Sequence, residues 1–116
     1  MDGELHPLKY GSYFNDKEKL IKIIKAEEEF ILNSPGEKNR RIWIDMYETN
    51  LDEELAEELV RHMINIKSKI MKICIVGCSK KSLFRKKLKT EDSFLFNCIE
   101  FFSVPEDAKM WLIGKK

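Results

Sequence analysis

A glycine, a cysteine and two lysines stand together in the segment Gly77-Cys78-Ser79-Lys80-Lys81, directly after a short apolar run. A turn between a buried strand and a helix exposes backbone N–H groups, and the start of a helix attracts anions. The two lysines add positive charge, so the segment predicts a site for phosphate or another small anion. The complete phosphate-binding loop has a further glycine before its lysine, and that glycine is absent here. The alternative is purely structural, with a tight turn at Gly77 and a helix cap at Ser79.

Cys78 follows a predicted strand, and nucleophiles of α/β enzymes lie beyond the carboxyl ends of strands. Neighbouring lysines would stabilise a thiolate. A cysteine phosphatase loop, however, needs arginine six residues later, and that position is Phe84. Asp45 and Glu48 could form an acid–base pair or bind a metal, but neither a histidine nor a third carboxylate has metal-ligand spacing around them. The sequence therefore predicts no catalytic residue, no metal site and no cofactor.

The most basic stretch is residues 80–89, where six of ten residues are lysine or arginine and none is acidic. On a helix, Arg85, Lys86 and Lys89 would face solvent while the apolar residues between them face the core. Such a segment can bind an acidic protein surface or anionic lipid. The lack of aromatic residues between the cations argues against nucleic acid. The alternative is a solvated helix face whose charge is balanced by an acidic helix earlier in the chain.

Composition excludes several protein classes. The chain has 116 residues, which corresponds to a single domain spanning 1–116. A hydrophobic content of 43% with a net charge of +1 excludes intrinsic disorder. The charge is uneven, since residues 1–70 carry a net −4 and residues 71–116 a net +5. Three cysteines without a CxxC pair predict reduced thiols in the cytoplasm, and no apolar run approaches the roughly 20 residues of a membrane span.

Strand-like and helix-like segments alternate along the chain. Helices are predicted from capping boxes at Asn15, Asn50 and Ser103, with a shorter helix from about Ser79 to Leu88. The predicted strands are 41–46, 73–76 and 94–102, with a weaker edge strand at 8–14. Alternation of this kind predicts an α/β fold, a small two- or three-layer sandwich with a mainly parallel sheet of three or four strands and four helices.

Parts of this pattern resemble a known family. Three segments resemble STAS-like domains. They are the strand Arg41-Ile-Trp-Ile-Asp-Met46 with the amphipathic helix after it, Ile73-Cys-Ile-Val-Gly77, and Ile99-Glu-Phe-Phe-Ser-Val-Pro-Glu-Asp-Ala-Lys-Met-Trp-Leu112. These are small α/β domains typified by bacterial anti-sigma factor antagonists. The resemblance covers about residues 8–113 and implies a non-enzymatic regulatory or protein-interaction function.

Classical members of that family carry a phosphorylatable serine at the start of the helix after the first of these strands. In this chain the region reads Tyr47-Glu-Thr-Asn-Leu-Asp-Glu-Glu54, and Thr49 is the candidate switch hydroxyl that the resemblance leaves. The acidic residues around it would repel an added phosphate. The resemblance implies another protein as the partner, with a homodimer as a further option. A small anion-binding protein or enzyme that uses the Gly77–Lys81 loop is the alternative function.

Overall fold

Four strands and five helices make up the structure, a computed structural model that describes residues 4–34 and 40–114. The strands are β1 (Glu4–Lys9), β2 (Arg40–Asp45), β3 (Ile70–Val76) and β4 (Ile99–Phe102). The helices are α1 (Lys17–Leu32), α2 (Glu53–Ile66), α3 (Lys81–Glu91), α4 (Ser93–Cys98) and α5 (Pro105–Leu112), and one 3-10 turn (Lys67–Lys69) precedes β3.

All three strand pairs are parallel, and the strands lie in the sheet in chain order, β1-β2-β3-β4. Ile42 of β2 lies opposite Ile73 of β3, which in turn lies opposite Ile99 of β4. Because crossovers between neighbouring parallel strands are right-handed, the helices that connect them fall on one face of the sheet. The predicted α/β fold with a parallel sheet is confirmed.

The face covered by α1, α2 and α3 holds the main core. Alternate residues of the central strands point into it, such as Ile42, Ile44, Ile73 and Ile75, and all four are buried. The helices contribute their apolar stripes, which for α2 include Leu55, Ala56, Leu59, Val60, Met63 and Ile66. Burial of these side chains supplies the main favourable free energy of folding, at about 25 cal/mol per Å² of apolar surface.

The opposite face of the sheet is covered by α5 alone among the described helices. Ala108 and Leu112 of α5 are buried against Cys74 and Val76 of β3, in a small core that also involves Trp43. The helix therefore lies mainly over β3 and β4 on this face and reaches β2 at Trp43. In the part of the chain that the structure describes, the β1–β2 half of the same face is open apart from Trp43, and its β1 side chains are exposed.

The first and last strands differ most from the prediction, while β2 is shifted by one residue and β3 begins three residues earlier, at Ile70. The first strand is Glu4–Lys9 rather than 8–14, and Pro7 lies in its middle. An edge strand tolerates proline because only one of its sides needs hydrogen-bond donors. The segment 94–102 begins as helix α4, and only its last four residues form β4. The side chain of Asp92 accepts a hydrogen bond from the backbone N–H of Leu95 at 3.1 Å and starts that helix.

The predicted helix caps also shift. Asp16 caps α1 and Asp52 caps α2, whereas the predicted caps Asn15 and Asn50 hydrogen-bond each other instead. The helix after Ser103 begins at Pro105 and has no side-chain cap. None of the described helices has both the length and the apolar character that a membrane crossing requires.

Candidate functional site

The Gly77–Lys81 loop lies at the carboxyl edge of the sheet, between β3 and α3. Gly77 has φ +78°, and the ring of Tyr47 covers its Cα so closely that a Cβ there would lie 2.5 Å from Tyr47 Cδ1. The Tyr47 hydroxyl donates a hydrogen bond to the carbonyl of Ser103 at 2.9 Å. The tyrosine thus ties the loop after β2 to the loop after β4, across the end of β3.

A cavity of about 150 Å³ opens beside this loop. Its lining combines loop residues with the end of β4, namely Gly77, Cys78, Ser79, Lys81, Phe101, Phe102 and Ser103. Helix α3 begins here at Lys81, and no side chain caps it, so the predicted cap at Ser79 is wrong. The first backbone N–H groups of a helix lack partners within the helix and carry partial positive charge. A small anion at this loop stays a prediction, and the uncapped helix start beside the cavity is the feature on which it depends.

Cys78 is half-buried in that cavity. Burial raises the pKa of its thiol, although the backbone N–H of Lys80 and the charge of Lys81 act in the opposite direction. The thiol is therefore mostly protonated at neutral pH, which is unfavourable for a nucleophile. Burial also raises the pKa of Cys74, to about 12. Cys98 ends helix α4 and is half-buried, whereas the sequence placed it in a strand.

The carboxylates at the same edge are engaged separately. Asp45 Oδ1 accepts a hydrogen bond from the backbone N–H of Tyr47 at 3.0 Å, and Glu48 accepts one from the Ser12 hydroxyl at 2.9 Å. Asp52 pairs with Lys17 at 2.6 Å, which together with its capping bond lowers the pKa of Asp52. Among residues 4–34 and 40–114, no group of three metal-ligating side chains is arranged to hold a metal ion.

Thr49 lies in the loop that precedes α2, and its side chain is buried. Its hydroxyl donates to the carbonyl of Tyr10 at 2.7 Å and accepts from the backbone N–H of Tyr13 at 3.1 Å. The hydroxyl therefore joins the β2–α2 loop to the β1–α1 loop. Its modification would require both hydrogen bonds to break, so the switch role of Thr49 stays a prediction that depends on opening of these loops.

The two loops joined by Thr49 continue the parallel pairing beyond the strands. Backbone bonds connect Ser12 to Tyr47 and Phe14 to Glu48, at 2.6 and 2.7 Å. Ser12, Phe14 and Glu48 all have positive φ values, between 52° and 66°. Non-glycine residues adopt this conformation at a cost of about 1–3 kcal/mol each, and such residues cluster at functional sites. The carboxyl edge is therefore the most strained part of the described backbone.

Helix α3 divides its cations between two sides. Lys87 turns toward α2, where its Nζ lies 3.3 Å from Glu57 and 3.5 Å from Glu53. Arg85 lies on the side away from α2, 3.4 Å from Glu100. Lys80, Lys81, Lys86 and Lys89 are exposed, and none of them forms an ion pair with a described carboxylate. We call the five cations of this segment other than Lys87 the basic surface: Lys80, Lys81, Arg85, Lys86 and Lys89. Lys80, at one end of it, lies beside Asp52 at the start of α2.

A buried polar chain that the sequence did not predict links the first loop to the helices. The Tyr10 hydroxyl and His62 Nε2 are 3.0 Å apart, and His62 Nδ1 lies 3.0 Å from Glu28 Oε1. The other Glu28 oxygen accepts a hydrogen bond from Asn65 at 2.9 Å. Tyr10 and His62 are fully buried. The available signal was the position of His62, three residues after Leu59 on the apolar stripe of α2.

The protonation states of Tyr10, His62 and Glu28 follow from their burial and from the hydrogen bonds between them. Partial burial alone would raise the pKa of Glu28, but hydrogen bonds from His62 and Asn65 outweigh it and lower the pKa. Burial lowers the pKa of His62, despite the attraction of Glu28. An ionised Glu28 can only accept, so Nδ1 of a neutral His62 carries the proton, and Nε2 accepts from Tyr10. Burial is the main cause that raises the pKa of Tyr10, so the Tyr10 hydroxyl stays protonated and remains a donor.

Comparisons with protein-family models, with curated proteins and with solved structures find no match to this chain. The similarity to STAS-like domains therefore stays a prediction from the sequence.

Proposed function

We propose that this chain is a STAS-like protein-interaction domain of the cytoplasm, and that its basic surface binds an acidic surface of another protein. The observation that carries the proposal is the split of charges on α3. The acidic helix α2 neutralises Lys87 but leaves the exposed lysines of the basic surface without a described carboxylate partner. Exposed cations without carboxylate partners attract anionic partners and accelerate their association.

Aromatic residues next to the cations favour a protein partner. The Arg85 guanidinium lies 5.2 Å from the ring centroid of Phe96 and 5.7 Å from that of Phe101. Phe94, also on α4, has 47% of its side-chain surface exposed. Arginine and aromatic side chains are enriched at the centres of protein interfaces. The basic surface and α4 together thus combine charge for steering with apolar area for affinity.

Neutralising the basic surface is expected to abolish most of this binding. The variant Lys81→Gln/Lys86→Gln/Lys89→Gln removes three exposed charges and keeps the Lys87 pairs. A lysine at an anionic surface contributes up to about 1 kcal/mol, so the loss should reach about 3 kcal/mol, roughly 100-fold in Kd. The free energy of unfolding should change by less than about 1 kcal/mol. A polyglutamate peptide at two salt concentrations is the probe, with thermal melts for stability.

Helix α1 offers a matched control, since Lys19, Lys22 and Lys25 are also exposed. The variant Lys19→Gln/Lys22→Gln/Lys25→Gln changes the net charge equally and should keep most of the binding. Equal losses in the two triple variants would show that only net charge matters, contrary to the proposal. Vesicles with anionic lipid and an oligonucleotide are tested in parallel. If the chain binds one of these and does not bind the acidic peptide, the partner is a membrane or a nucleic acid and not a protein.

A small anion at the Gly77–Lys81 loop is the second candidate function, favoured by the uncapped start of α3 beside the 150 Å³ cavity. Cys78 lines that cavity and reports on it. Inorganic phosphate is expected to slow alkylation of Cys78 at alkaline pH several-fold, because the bound anion shields the thiol and opposes its ionisation. Cys98 in the same sample is the internal control and should not respond.

The same measurement on Lys81→Gln separates a bound anion from a general salt effect. This variant should lose the protection by phosphate while Cys78 stays in place. Protection that persists in Lys81→Gln, or that sodium chloride reproduces at equal ionic strength, would count against the anion site and leave the interaction proposal untouched.

A further inference from the structure

Within residues 4–34 and 40–114, no element covers the open β1–β2 half of the sheet beyond the contact of α5 with Trp43. Leu5 of β1 is 49% exposed, Pro7 and Lys9 beside it are also exposed, and Trp43 of β2 is half-buried. Parallel sheets occur almost only where both faces are covered, because their strands are apolar on both sides. Helix α5 covers mainly the neighbouring β3–β4 half and reaches β2 at Trp43. A covering element for the β1–β2 half is therefore missing from the described part of a single chain.

Helix α5 carries apolar residues on two opposite sides. Ala108 and Leu112 are buried against its own sheet. Met110 is 50% exposed and Ile113 41% exposed, and together with Glu106 they follow the spacing i, i+4, i+7 of a single helix face. An ordinary surface helix has one apolar stripe and a polar outer face. A helix with apolar residues on both sides is suited to lie between two layers.

We propose that two copies of this chain form a dimer in which α5 of each protomer packs on the open β1–β2 half of its partner's sheet. Helix α5 and the open half lie side by side on one face of the sheet. The two sheets would face each other, related by a two-fold axis that is parallel to the strands and lies between the sheets. Helix α5 of one protomer then lies between the two sheets, against its own β3 and β4 on one side and against β1 and β2 of the other protomer on the opposite side. The contact is the same in both directions, as a closed dimer requires.

Charge and spacing agree with this arrangement. Rotation about an axis parallel to the strands keeps the strand direction, so α5 begins at the carboxyl ends of both sheets. Glu106 at its start then faces the end of the partner's β1, where the exposed side chain is Lys9. Ile113 faces the beginning of that strand, where Leu5 is exposed. The helix stripe is about 10 Å long and the Leu5–Lys9 stretch about 13 Å, so the two match.

The mass of the purified full chain in solution tests the dimer. Sedimentation equilibrium over a series of concentrations should give twice the 13.8 kDa of one chain. Met110→Glu places a carboxylate in the apolar contact and should weaken dimerisation about 100-fold, a change of about 2.8 kcal/mol at 1.4 kcal/mol per tenfold. Phe94→Glu is the matched control, an exposed apolar residue on α4 at the other face, and should leave the dimer intact.

A charge exchange tests the orientation of the axis. Lys9→Glu and Glu106→Lys should each weaken the dimer several-fold, and the two together in one chain should restore it. A single-chain mass for the wild type at every concentration would refute the dimer. So would an unchanged dimer in Met110→Glu, or equal dissociation in Phe94→Glu. Failure of the double variant to recover would refute the proposed axis. The proposed function does not depend on these outcomes, because the basic surface lies on the other side of the molecule.

Discussion

Replacing Gly77 with alanine is expected to lower the free energy of unfolding by about 3 kcal/mol. A left-handed conformation costs a residue with a Cβ about 1–2 kcal/mol, and Gly77 has φ +78°. The added Cβ would lie within 2.5–2.8 Å of three atoms of the Tyr47 ring, so the ring must move. That movement also breaks the hydrogen bond from Tyr47 to Ser103, for about 1 kcal/mol more. Urea denaturation of the two proteins measures the difference.

Gly114 provides the control that separates the two causes. Its φ is +83°, but a Cβ there would meet no atom within 4 Å. Gly114→Ala should therefore show only the conformational cost, about 1 kcal/mol. In a Tyr47→Ala background, Gly77→Ala should fall to a similar value because the ring is gone. An effect of Gly77→Ala that is the same with and without Tyr47 would show that the ring contact is unimportant.

The alternation of strand-like and helix-like segments was enough to predict the parallel sheet. The spacing of apolar residues differs between a strand and a helix, so most segments could be assigned from it. The boundary errors have local physical causes. The run Phe94-Leu-Phe-Asn-Cys98 is apolar throughout, so its periodicity does not distinguish strand from helix. Asp92 decides the outcome by capping α4, and the sequence-based reading overlooked it. The first strand was placed too late in the chain; its actual span contains Pro7, which an edge strand tolerates because one of its sides has no strand partner.

The candidate site was predictable in position but not in detail. The sequence placed the Gly77–Lys81 loop and the basic segment correctly after β3, since the carboxyl end of a strand can be read from its pattern. The role of Tyr47 could not be read, because it depends on two loops that meet only across the sheet. The division of the α3 cations between α2 and solvent likewise depends on how the two helices pack. Contacts between residues distant in the chain are the part that pattern alone does not supply.

Replacing His62 with leucine is expected to destabilise the fold by about 3 kcal/mol at pH 7. The substitution leaves the buried hydroxyl of Tyr10 without its acceptor and removes a donor from Glu28, and an unsatisfied buried polar group costs about 1–3 kcal/mol. Tyr10→Phe removes that hydroxyl. The double variant Tyr10→Phe/His62→Leu should therefore be more stable than His62→Leu alone. Strictly additive effects of the two substitutions would show that the hydrogen bond between them is unimportant.

The pH dependence of stability gives an independent test of the buried hydrogen bonds between Tyr10, His62 and Glu28. The pKa of His62 in the fold lies below its ordinary value of 6.5, chiefly because of burial. Between these two values the unfolded chain binds the proton and the folded chain does not, so the free energy of unfolding falls as the pH falls. The contribution is complete above pH 6.5 and decreases below it. Glu28, whose pKa is lowered from 4.5, adds a second loss at lower pH.

His62→Gln separates the loss of stability caused by His62 from the loss caused by Glu28. Glutamine retains polar atoms for Tyr10 and Glu28 but does not titrate. We expect its stability to stay level from pH 7 to about pH 5, where the wild type already declines, and then to fall with Glu28. Urea denaturation at a series of pH values measures both curves. His6 is the other histidine of the chain, and His6→Gln should keep the decline below pH 6.5. If the decline persists in His62→Gln and disappears in His6→Gln, the buried chain is not its origin.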